Sequence, residues 1–201
     1  MAGGEVNENS SDSLDTAERA WLAHQTELNF PESSVADNMF YAWALHRQCR
    51  LFHDTLLIYA PTCDQLPVLT GGGAFSLLEL AATLGSDKAV ERLYESAADD
   101  ALRTRALAIL DQQVLSGNPA AMLAVAHQGI FDDTTEGRRS SLAYEYAAWA
   151  TGRRGEESFR TTEFALSTQE CAAIIRAGKI LAARIEAATP GTIVRAAERC
   201  D

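Results

Sequence analysis

The sequence predicts an all-α fold: a right-handed α-α superhelical solenoid of helix–turn–helix repeats, preceded by irregular N-terminal helices. Three observations predict it. A stretch appears twice: Gly85-Ser-Asp-Lys-Ala opens an amphipathic run ending near Ser116-Gly117, and Gly117-Asn-Pro-Ala-Ala opens another ending near Thr151-Gly152. The spacings, 32 and 35 residues, are those of helix-pair repeats, in which no unit hides its apolar face alone and each leans on a neighbour. Alanine-rich runs such as Ala147-Ala148 and Ala187-Ala188 favour helix, because alanine loses no side-chain entropy there. Long alternating runs of β-branched residues are missing, so strand signals are weak.

Taken in order, residues 1–12 read as a disordered tether, too polar to offset the cost of ordering. Residues 13–201 read as a single helical repeat domain, whose best repeats are 85–117 and 117–152. Ser13 caps a helix to about Leu28, with Trp21 and Leu22 on its apolar side. A long helix follows Pro31-Glu32-Ser33-Ser34, carrying Met39, Phe40, Trp43, Ala44 and Leu51 at three- and four-residue steps. Apolar character continues through Ala60, until Pro61 and Pro67 break it. Thr70-Gly71-Gly72-Gly73 reads as a flexible turn before a helix over 74–84. Four runs follow, about 86–98, 101–115, 119–131 and 139–152, with Asp87 and Asn118 at N-cap positions and Gly117 and Gly152 at C-cap positions. A loop and short helix fill 153–166. Ser167-Thr-Gln-Glu170 is a capping-box pattern opening a helix to about Ala188, striped by Ile174, Ile175, Leu181 and Ile185. Pro190-Gly191 stops it, and Thr192–Cys200 is expected as a short closing helix, which brings the expected total to about nine.

The net charge of −11 and pI near 4.8 argue against nucleic-acid binding and against adsorption to anionic lipid. No apolar run approaches the ~20 residues of a membrane span. The polar start resembles the mature end of a bacterial lipoprotein, with Met1 standing where a lipidated cysteine would be. From this come the expectations of a lipid anchor in a precursor and of a periplasmic or envelope-associated location, with a cytoplasmic one as the alternative.

Gly117-Asn-Pro-Ala-Ala-Met-Leu-Ala-Val-Ala, the loop Gly129-Ile-Phe-Asp-Asp-Thr-Thr-Glu-Gly, and Leu142-Ala-Tyr-Glu-Tyr-Ala-Ala-Trp-Ala-Thr-Gly152 together resemble a Sel-one-like repeat, a subclass of the tetratricopeptide type. The match runs from Gly117 to Gly152. It extends loosely over Gly85 to Gly117 through Ala89, Ala106, Leu110 and Ser116-Gly117. The family's usual Gly-x-Gly-Val loop is absent. The resemblance implies adaptor, scaffold or peptide-binding roles without catalysis and without a cofactor, and specifies no site residues.

Several constellations are candidates for chemistry. His46, Cys49 and His53 lie at i, i+3 and i+7, so one helical face presents three groups able to ligate zinc, with Cys63 or Asp64 as a fourth. One helix alone gives poor tetrahedral geometry, which weighs against a site. A Cys49–Cys63 disulfide requires the helix to end near His53 or Asp54, since cysteines bridge only at ~6 Å. Cys171 and Cys200 stand at unequal residue counts from the turn at Pro190, which argues against pairing them and for buried free thiols. Arg138-Arg139 and Arg153-Arg154 flank one expected helix, with Arg160 nearby, a local cluster able to take carboxylates or phosphates bidentately; Arg153 and Arg154 also suit the dipole at that helix's C-terminus. Tyr144 and Tyr146 are candidate groove aromatics, although aromatics at helical spacing more often fill a core. The adjacent pairs Asp99-Asp100 and Asp132-Asp133 read as cap or loop residues, because neighbours do not face one another on a helix.

The expected function is therefore a non-enzymatic protein–protein interaction module, with Arg138, Arg139, Arg153, Arg154, Arg160, Tyr144 and Tyr146 contacting a protein or peptide. One alternative is a metal-dependent regulator or enzyme using His46, Cys49 and His53. Another is an immunity-type or secretion accessory protein that binds a basic partner.

Overall fold

The computed structural model describes residues 34–52, 71–153, 159 and 166–198. Among them are seven α-helices and no strand, as the all-α expectation requires. The chain divides into two compact units, Met1–Leu84 and Gly85–Asp201, parting at the first repeat glycine. The expected tether and first helix, and the segments 53–70 and 199–201, lie outside the described residues.

In the first unit, α1 (Val35–Phe52) packs against α2 (Gly71–Thr83). The Ser34 hydroxyl accepts the Asp37 N–H at 3.1 Å, which satisfies one orphan donor of the first turn. Ala36, Met39, Ala42 and Trp43 are buried on one side of α1, and Phe75, Leu77, Leu78, Ala81 and Ala82 along α2. The glycine run is a correction to the sequence reading. Residues 71–73 belong to α2 and form no turn. In a first turn glycine costs less than in a helix interior, because packing further along the helix fixes the backbone.

The second unit opens with α3 (Asp87–Leu93), α4 (Asp100–Leu115) and α5 (Pro119–His127). Ser86, rather than Asp87, caps α3, accepting from the Ala89 N–H at 3.4 Å. The helix ends sooner than its pattern suggests, since Ala97 N–H turns back to the Tyr94 carbonyl. Asp99 caps α4 through the Leu102 N–H at 2.9 Å. At its far end Gly117 takes φ 81°, where glycine carries no Cβ penalty. Gly117 N–H bonds to Val114 O and Asn118 N–H to Gln113 O, the two bonds of a Schellman turn. Asn118 then starts α5. Its Oδ1 accepts from Ala120 and Ala121 N–H at 2.8 and 3.4 Å, while its Nδ2 donates to Gln113 Oε1 at 3.3 Å. One residue thus ends one helix and begins the next.

α6 (Thr135–Ala150) and α7 (Thr168–Ala188) complete the unit. α6 begins four residues before its predicted start, because the Thr134 hydroxyl caps it through the Gly137 N–H at 3.1 Å. The capping box of α7 is formed as predicted: the Ser167 hydroxyl takes the Glu170 N–H, and the Glu170 carboxylate takes the Ser167 N–H. α5 packs on α3, α4 and α6, and α7 packs on α6 and also touches α4. The core between α6 and α7 holds Leu142, Tyr146, Trp149, Phe159, Ile174 and Ile175. The Tyr146 ring lies on Gly178, where a Cβ would stand 2.5 Å from it, so only glycine admits the ring.

After α7, residues 192–198 are not helical, which corrects the expected closing helix. Thr192-Ile193-Val194 is a β-branched run, stiff at χ1 and suited to extended backbone. Its N–H groups are also drawn elsewhere: Val194 and Arg195 both donate to Ala150 O, at 2.9 and 3.1 Å. The Thr189 hydroxyl donates to Leu115 O at 2.9 Å, and Arg195 Nη2 to Gly152 O at 3.3 Å. Residues 189–198 therefore form a strap that serves the orphan carbonyls at the ends of both α4 and α6. Thr192 sits where a Cβ on Gly117 would go, and Val194 stands 2.5 Å from where one on Gly152 would go.

Candidate interaction surface

α7 has two unlike sides. Ile174, Ile175, Gly178, Leu181, Ala182 and Ile185 are buried. Ala172, Arg176, Ile180 and Ala183 are exposed, at steps of four, four and three that place them in one stripe. Ile180 is 61% exposed. It lies in an open depression of about 470 Å³ whose lining also includes Ile175, Lys179 and Glu198. Lys179 Nζ donates to Glu198 Oε1 at 2.8 Å, and this bond raises the lysine pKa. The strap thereby forms one bank of the depression.

The strap is anchored to α7 by Glu186. One carboxylate oxygen accepts the Gly191 N–H at 2.7 Å and the other the Ile193 N–H at 2.9 Å. These bonds favour the anion and hold its pKa below the ordinary value. The strap reaches α6 through the Tyr146 hydroxyl, which accepts the Ala197 N–H at 3.1 Å, while the Arg195 guanidinium lies 5.9 Å from the Trp149 ring centroid.

Of the arginines singled out from sequence, Arg138 and Arg139 lie in the first turns of α6 and Arg153 beyond its other end. Arg138 is exposed, and its charge helps lower the Glu170 pKa, after the hydrogen bonds from Ser167. Arg139 is half-buried and paired with Glu136 one turn earlier. Arg153 is exposed beyond the other end of α6. The twelve residues from Arg138 to Ala150 span ~18 Å of helix, so Arg138 and Arg139 do not share a cluster with Arg153. Arg154 and Arg160 lie outside the described residues, as do Cys63, His53 and the side chains of His46 and Cys49.

Tyr144 is half-buried, its ring 5.8 Å from that of Phe131. Burial and then Asp111 on α4 raise its pKa, while Arg184 on α7 opposes them. Tyr146 is 1% exposed, with Trp149 and Phe159 at 5.7 and 5.2 Å between ring centroids, and so belongs to the core. Asp99 is a cap and Asp132 a loop acceptor for the Thr134 N–H at 3.3 Å, as their sequence context implies. Cys171 is disulfide-bonded, which corrects the expectation of a free thiol there. Among the described residues no three His, Cys, Asp or Glu are grouped so as to hold a metal ion. No described helix is long and apolar enough to cross a membrane.

Sequence reasoning missed Ile180, because attention to the buried stripe passes over it. Six residues beyond Ile174, it lies about 120° away around the helix. It also missed a charge division. Up to Asp133 the chain carries seven basic and nineteen acidic residues; after it, ten and nine. The net charge of −11 thus belongs to the first two thirds, and the part containing α6 and α7 is close to neutral. No protein-family model, no curated protein and no solved structure matches the chain.

Proposed function

We propose that the chain is a non-enzymatic protein-interaction module of the Sel-one-like, tetratricopeptide-type class, and that it docks its partner on the outward side of α7. The observation that carries this reading is the open depression around the exposed Ile180. A large aliphatic side chain on a mostly alanine face offers a partner helix a close approach and one anchoring knob. Arg176 and Arg184 are exposed on the same helix. In an otherwise acidic chain they favour an amphipathic partner segment with carboxylates beside its apolar residues.

The repeat reading is supported by the packing of α3 and α5, the first helices of successive units, against each other. It is supported as well by the glycine with positive φ that follows each second helix. The contact between α4 and α7 then makes α7 and the strap a terminal cap. The Cys171 disulfide supports an oxidising location such as the bacterial envelope.

The test is cross-linking and affinity purification from the native host with wild type, Ile180→Glu and a control, Leu107→Glu on α4. Partners retained by wild type and by the control, and lost with Ile180→Glu, support the reading. A partner set indifferent to Ile180 refutes α7 as the docking face. Arg138→Glu with Arg139→Glu asks separately whether that pair belongs to the interface; unchanged capture removes it.

A further inference from the structure

We infer that the occupant of the outward side of α7 is the same side of α7 in a second copy of this chain, paired antiparallel about a two-fold axis at the level of Gly178. This rests on the docking face proposed for α7 and commits to one partner for it.

A face pairs with its own copy only if a two-fold rotation lays it on itself without collision. The exposed residues of α7 meet that condition. Gln169, Ala172, Arg176, Ile180, Ala183 and Ala187 are exposed, at steps of three or four that keep them in one stripe along the ~31 Å helix. In an antiparallel pair centred on Gly178, Gln169 falls opposite Ala187 and Arg176 opposite Ile180, while Ala172 falls within one residue of Ala183. Small side chains thus lie opposite one another on both sides of the centre, and the two axes can approach to the ~8 Å of close helix packing. Ile180, the large apolar side chain of the stripe, meets the aliphatic stem of an arginine rather than a second isoleucine.

Charge selects the same arrangement. The depression around Ile180 is lined by Arg176 of the helix and by Glu198 of the strap. Glu198 is bonded to Lys179, yet its side chain remains 87% exposed, so the carboxylate has room for a second donor. The two-fold carries Arg176 of the second copy over Ile180 and beside that carboxylate, and by symmetry the contact forms twice. A parallel pairing would instead set Arg176 against Arg176 and Lys179 against Lys179, with like charges in contact. Net charge does not oppose the meeting: after Asp133 the chain carries ten basic and nine acidic residues, so the part that includes α7 is close to neutral. A strip ~31 Å long and ~10 Å wide is well under the ~800 Å² per partner of a standard interface, so the dimer is weak, with a Kd of about 10–500 µM.

Sedimentation equilibrium of the full chain over about 5–1,000 µM, in ~0.15 M salt to screen distant charges, tests the pairing. The wild type is expected to rise from 21.7 kDa toward twice that mass; a constant 21.7 kDa overturns the pairing. Ile180→Glu is expected to stay monomeric over the same range, and a dimer that survives it overturns this face. Arg176→Glu and Glu198→Arg each set like charges together and should weaken association at least about tenfold. Mixed in equal amounts, the two variants form a pair in which both contacts are again of opposite sign, so association should return to within about threefold of wild type. No recovery on mixing overturns the antiparallel register. A monomeric wild type that still captures an Ile180-dependent partner from the host refutes only the second copy as occupant. Host capture and self-association both indifferent to Ile180 refute the docking face itself.

Discussion

α5 and α7 are both rich in alanine and use it in opposite ways. In α5 six of nine residues are buried, because α3, α4 and α6 close on it from three directions. Small side chains there let three helices approach one axis, and Met122 fills what remains. In α7 the alanines Ala172 and Ala183 face outward beside Ile180, while Ile174, Ile175 and Ile185 face the core. Composition alone does not separate these cases. What separates them is how many neighbours each helix has, and this follows from position in the unit: α5 is internal and α7 is terminal.

Four substitutions break or sharpen that contrast. Met122→Ala on α5 should cost about 2–5 kcal/mol, since a fully buried side chain leaves a cavity the surrounding helices fill only partly; urea denaturation measures it, and a loss under about 1 kcal/mol would contradict the packing described. Gly178→Ala, on the inner side of α7, should cost about 1–3 kcal/mol by pushing the new Cβ into the Tyr146 ring. Its signature is a changed near-UV aromatic spectrum together with a lower Tm, and an unaltered spectrum would mean the ring does not lie on α7.

Glu186→Gln tests the strap anchor through pH. The folded-state pKa of Glu186 is lowered below 4.5, so the folded protein binds this proton less readily than the unfolded chain. The anchor's contribution is therefore complete above pH 4.5 and vanishes as pH falls through the folded value. The variant should melt lower than wild type at pH 7, and the gap should narrow as pH is taken further below 4.5. A gap that stays constant, or widens, as the pH is lowered would show that charge on the carboxylate is not what holds the strap. The smallest effect belongs to Ile180→Glu: on an open face it should change stability by no more than about 0.5 kcal/mol. A loss of several kcal/mol would place Ile180 in a core.

Elements with strong local signals were legible in the sequence. Asn118, Ser167-Glu170, Gly117 and Gly152 each specify a terminus through their own hydrogen bonds or backbone freedom, and α4, α5, α6 and α7 are found at those marks. Local choices failed where two neighbours were both adequate caps, as with Ser86 and Asp87, or where glycines sat at a helix start, as at Gly71. The strap was illegible for a different reason. Residues 192–198 are shaped by Ala150 O, Tyr146 and Glu186, acceptors far away or on another helix, which no short window weighs.

The three-residue connection from α4 to α5 has a mechanical consequence. Asn118 is tied to Gln113 behind it and to Ala120 and Ala121 ahead, which restrains the torsions between the two cylinders. A torque applied to α4 must turn α5 with it, and α5 in turn bears on α6. Between α4 and α6, bending is therefore easier in the longer connection after Gln128 than at Asn118, and the α4–α5 pair behaves more as a bent rod than as two hinged segments.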